Sequence, residues 1–73
     1  MLKTVAETLA MLAAEAEQLG YVVFVSGRLR IDAEYHRGQT IWFINERRST
    51  AEQVSISLEK ARVARHTDHP SIV

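Results

Sequence analysis

The middle of the chain carries two apolar segments and, between them, one that strictly alternates apolar and charged residues, all set off by short polar breaks, and this pattern constrains the fold more than any other feature. The segments are "YVVFV" (21–25), "RLRIDAEY" (28–35) and "TIWFIN" (40–45), and Ser26-Gly27 and Arg37-Gly38 fall between them. β-branched and aromatic runs bounded by such pairs predict strands. Two-residue loops predict hairpins and fix their register. The second hairpin then pairs Tyr35 with Thr40 and Ala33 with Trp42, and the first pairs Phe24 with Leu29 and Val22 with Ile31.

Neighbours along a strand point to opposite faces. The predicted register therefore puts Val22, Phe24, Leu29, Ile31, Ala33, Tyr35, Trp42 and Ile44 on one face, which the helices should cover. The other face collects Tyr21, Val23, Val25, Ile41 and Phe43, with Arg28, Arg30, Asp32 and Glu34 between them. Two apolar rails would thus flank a charged strip.

Leu2, Val5, Leu9, Leu12, Ala16 and Leu19 recur at helical spacing before Gly20, a natural helix stop. They predict a first helix over 2–19. Ser49-Thr50-Ala51-Glu52 fits a capping box and predicts a second helix from about residue 50 to 64. Its stripe is Ala51, Val54, Leu58 and Ala61, with Ile56 and Val63 on the opposite side. "VSISL" (54–58) also alternates at period two, as a strand would; the cap and the following "EKARVA" favour helix. The expected fold is α+β, in the order α-β-β-β-α: a three-stranded antiparallel sheet with two helices packed on one face. The compact domain is expected over 1–65, with 66–73 a flexible C-terminal tail.

That element order resembles the double-stranded RNA-binding domain. The family presents a lysine-rich start to its second helix, where this chain has "STAEQ". The resemblance is one of element order alone and implies no membership.

At 73 residues the chain is one domain with a limited core. Without cysteine it has neither disulfides nor thiolate metal sites, and oligomerisation is the remaining common compensation for small size. The cysteine-free composition fits a reducing cytoplasm. No stretch is long and apolar enough to span a bilayer. "AMLAAEA" is too short, and too closely flanked by Glu7 and Glu15, for a secretory leader. Nine basic side chains balance nine acidic ones, so the overall basic excess common in nucleic-acid binders is missing. Arg28, Arg30, Arg37, Arg47 and Arg48 nevertheless concentrate in the middle, and Arg28, Arg30 and Arg37 with Tyr21 and Phe43 could form an aromatic and basic platform for single strands.

Little else points to chemistry. "HTDH" (66–69) offers metal-ligating side chains, but no rigid surroundings are predicted there. His36 reads as a turn residue. Asp32 and Glu34 could pair as acid and base, yet Arg28 and Arg30 on the same face make cross-strand ion pairing the simpler account. With no nucleophile–base pair and no phosphate loop, no catalytic residue, metal or cofactor is expected. The expected function is a small protein-binding module, an adaptor or inhibitor of a larger protein, self-associating as a homodimer. It would use Tyr21, Val23, Val25, Ile41 and Phe43 on the sheet and Ile56 and Val63 on the second helix. A nucleic-acid-binding regulator built on the five arginines is the alternative.

Overall fold

A computed structural model describes residues 4–67. Helix α1 (Val5–Leu19) starts at Thr4. The Thr4 hydroxyl accepts from the Glu7 amide at 3.1 Å, and the Glu7 carboxylate accepts from the Thr4 amide at 2.9 Å. This reciprocal cap satisfies two amides that the first turn leaves without partners. At the other end Gly20 takes φ +87° and donates to the Ala16 carbonyl at 2.6 Å. A left-handed residue suits glycine and reverses the chain. The next residue already begins a strand, so α1 lies back on the sheet.

The strands are β1 (Tyr21–Ser26), β2 (Leu29–His36), β3 (Gln39–Ile44) and β4 (Arg47–Ser49), and helix α2 (Ala51–Thr67) follows. The sheet is antiparallel, in the order β1-β2-β3-β4. The architecture is α+β as expected, but it has four strands, in the order α-β-β-β-β-α. The extra strand removes the likeness in element order to the double-stranded RNA-binding domain. β4 arises because Asn45 and Glu46 both adopt positive φ, as a two-residue type I′ loop requires, and fold Arg47–Ser49 back onto β3.

The second hairpin has the expected register. The first is displaced: its loop is Gly27-Arg28, and Phe24 faces Ile31 while Val22 faces Ala33. Gly27 supplies positive φ at the first loop position, which a type II′ turn demands. Moving the loop by one residue shifts the pairing by two. Side-chain parity is therefore kept and the face assignment survives. Arg28, expected on the strand, sits in the loop.

The core joins Leu12 and Ala16 of α1, Ile31 and Ala33 of β2, Trp42 of β3, and Val54 and Leu58 of α2. Val22, Phe24, Leu29, Tyr35 and Ile44 pack around it, all from the predicted inner face. Both helices therefore cover one face of the sheet. The segment 54–58 is helical. The cap of α2 is Thr50 with Gln53, one residue later than expected: Gln53 N donates to Thr50 Oγ1 at 3.1 Å and Thr50 N donates to Gln53 Oε1 at 2.9 Å. Ser49 is still in β4, where its hydroxyl donates to the Arg47 carbonyl. Ala51 is consequently the first helical residue, and it is exposed rather than part of the buried stripe. Leu19 is likewise 73% exposed, at the last position of α1 before the chain turns at Gly20. α2 runs past the expected boundary at Arg65 to Thr67, and residues 68–73 lie outside the described residues.

Candidate protein-interaction face

The sheet face away from the helices is organised in rows by cross-strand pairing. One row runs Val23–Asp32–Phe43–Arg48, and the next runs Tyr21–Glu34–Ile41. Val25 pairs with Arg30 in a third. Tyr21, Val23 and Val25 are 44%, 37% and 63% exposed, and Ile41 and Phe43 are half-buried. The two apolar rails are therefore present.

The strip between them is less wet than its sequence suggests. Arg30 lies along β2: its Nε donates to Asp32 Oδ1 at 3.0 Å, and its Nη2 reaches the Tyr21 hydroxyl at 3.4 Å. These bonds, the one to Asp32 foremost, push the guanidinium above its ordinary value, so it stays charged at any working pH. Asp32 is only 8% exposed although it faces outward, with Val23 and Phe43 on either side. The ion pair runs along one strand, not across two as expected, and it occupies the carboxylate that an Asp32–Glu34 acid–base pair would need. Glu34 and Arg48 make no ion pair with the described residues.

Of the nucleic-acid candidates, Arg30 is committed to Asp32. Arg28 and Arg37 lie in loops that close opposite ends of the eight-residue β2, so roughly 25 Å of strand separates them. Arg47 pairs with Ile44 on the helix side of the sheet, and Arg48 pairs with Phe43 on the outer side. The five arginines are thus not brought together. Arg48 is the residue of this face that only β4 places there, and Asn45 in a loop position was the available signal for that turn.

Ile56 and Val63 are half exposed on α2, beside a shallow depression of about 390 Å³ that Glu59, Lys60 and Ala64 also line. They lie on the helix side of the domain, apart from the rails. A larger depression of about 640 Å³ lies between the Gly27-Arg28 loop and α2, and neither a carboxylate nor an imidazole lines it. His36 is exposed at the end of β2, and of "HTDH" no side-chain position falls within the described residues. No described helix is long and apolar enough to cross a membrane. The chain matches no known protein family, no curated protein and no solved structure.

Proposed function

We propose that this chain is a small, non-catalytic protein-binding module, an adaptor or inhibitor of a larger protein in the cytoplasm, and that it self-associates. One observation carries the reading. Both helices occupy one sheet face, and the opposite face keeps Tyr21, Val23 and Val25 exposed beside Ile41 and Phe43. Contiguous exposed apolar surface of this kind marks contact sites. Phe43, midway along the longest row, is the natural anchor. The dispersal of the five arginines argues against the nucleic-acid alternative.

The test is capture of the partner from native lysate with and without nuclease, followed by binding of variants to what is captured. Phe43→Ala should weaken binding by about 2 kcal/mol or more, as loss of a central aromatic anchor does. The fold should survive, because Phe43 is off the core face. A steep fall of wild-type affinity with salt would be the mark of counterion release from phosphates. That fall, with loss of binding in the double variant Arg28→Ala, Arg30→Ala and a neutral Phe43→Ala, would establish the nucleic-acid reading instead.

A further inference from the structure

The two edges of the sheet are built differently. β4 is short and two of its three residues are arginine. Short, charged edges are a common device against unwanted pairing. β1 has none of these devices. Its six residues, "YVVFVS", carry no charge and no proline, and they pair with β2 without a bulge. α1 touches β1, β2 and β3, so it lies over the sheet and not beyond its edge.

The free groups of that edge follow from the ladder. Gly20 accepts from the Tyr35 amide at 3.0 Å, which makes them a hydrogen-bonded pair. Bonding alternates along an antiparallel ladder. Val22, Phe24 and Ser26 therefore direct their amides and carbonyls at β2, and Tyr21, Val23 and Val25 direct theirs away from the sheet. No described strand pairs with them. The same residues carry the exposed rail.

We propose that β1 pairs edge to edge with β1 of a second copy, antiparallel about a two-fold axis at Val23, to make one eight-stranded sheet. This rests on the self-associating reading above and names its geometry. Two-fold pairing sets a surface against itself, so the edge must be its own complement. With the axis at Val23 it is. Val23 meets Val23 of the second copy, and Tyr21 meets its Val25. On the inner face Val22 lies beside Phe24 of the second copy. This register engages all three outward-facing residues, adding about six ladder hydrogen bonds. No charge on either strand opposes the approach, and the two Tyr21–Val25 rails merge into one apolar strip.

Sedimentation equilibrium from micromolar to millimolar concentration, combined with amide exchange, tests the proposal. A dimer is expected in which the Tyr21, Val23 and Val25 amides exchange about tenfold or more slowly than in the dilute monomer. Val22 and Phe24 should be protected in both. Val23→Pro removes an outward amide that the β1–β2 ladder does not use, and edge positions of that kind tolerate proline. Val23→Lys sets two like charges together at the axis. Each should weaken dimerisation by about a hundredfold or more with the circular dichroism of the domain unchanged. A dimer that Phe43→Ala dissociates and Val23→Lys does not, with the three amides exchanging freely, would overturn edge pairing while self-association stands. A monomer at every concentration would overturn both. Protection of those amides only on adding a foreign apolar peptide would overturn the second copy as occupant.

Discussion

Glu46 holds φ +70° and its neighbour Asn45 φ +48°, but only Asn45 is compensated. Asn45 Oδ1 accepts from the Arg30 amide at 2.9 Å, and the Asn45 amide donates to the Arg30 carbonyl at 2.8 Å. Together they bind the β3–β4 loop to the end of β2. Left-handed backbone costs a non-glycine residue about 1–2 kcal/mol. Glycine gives back part of that gain through the greater freedom of its unfolded chain. Glu46→Gly should therefore stabilise the domain by about 0.5–1 kcal/mol. Asn45→Ala should destabilise it by about 1–2 kcal/mol, since it loses a side-chain acceptor and a residue suited to this conformation. Urea denaturation of the two variants should give opposite signs; a destabilising Glu46→Gly would show that the glutamate contributes something beyond its backbone angle.

At the level of elements, the caps separate what the sequence specifies from what only the fold decides. "STAEQ" satisfies the capping-box pattern twice, as Ser49 with Glu52 and as Thr50 with Gln53. Local chemistry cannot choose between them. The choice is made by β4, which keeps Ser49 extended opposite Trp42. Thr50→Ala should then cost about 1 kcal/mol. Ser49→Ala, half-buried on the edge strand and outside the cap, should cost less by thermal or urea unfolding, and the reverse ranking would put the cap at Ser49. The same reasoning covers the strands. β1, β2 and β3 were legible because side-chain parity tolerates a register error of two, so a misplaced loop still sorted Val22, Phe24, Ile31 and Trp42 correctly. β4 was not legible, because "RRS" has no apolar residue and is too short to alternate. Of the candidate face, the rails were readable by parity. The burial of Asp32 was not, since it depends on Arg30 lying along its own strand.

For the whole molecule, sheet order equals chain order, and one helix precedes the strands while the other follows them. Every strand meets its sequence neighbour through a two-residue loop. The contacts between elements far apart in the described chain are those of the helices, with α1 packing on α2 and on β3 and α2 packing on β2. This bears on the rate of folding. Loop closure between near neighbours costs little entropy, and chains dominated by such contacts fold in milliseconds or less. Hairpins form in about 1–10 μs, so the meander should assemble first and the helices should lock onto it later. Stopped-flow kinetics, at concentrations where the chain is monomeric, should divide substitutions accordingly. Gly38→Ala, in the central loop at φ +82°, should mainly slow folding. Val54→Ala, fully buried where α2 meets the core, should mainly speed unfolding. A Val54→Ala variant that instead slows folding would place helix docking in the rate-limiting step. With Gly38→Ala slowing folding and Val54→Ala speeding unfolding, the unfolding rate of this chain is set where its helices pack on the sheet, and the folding rate by its turns.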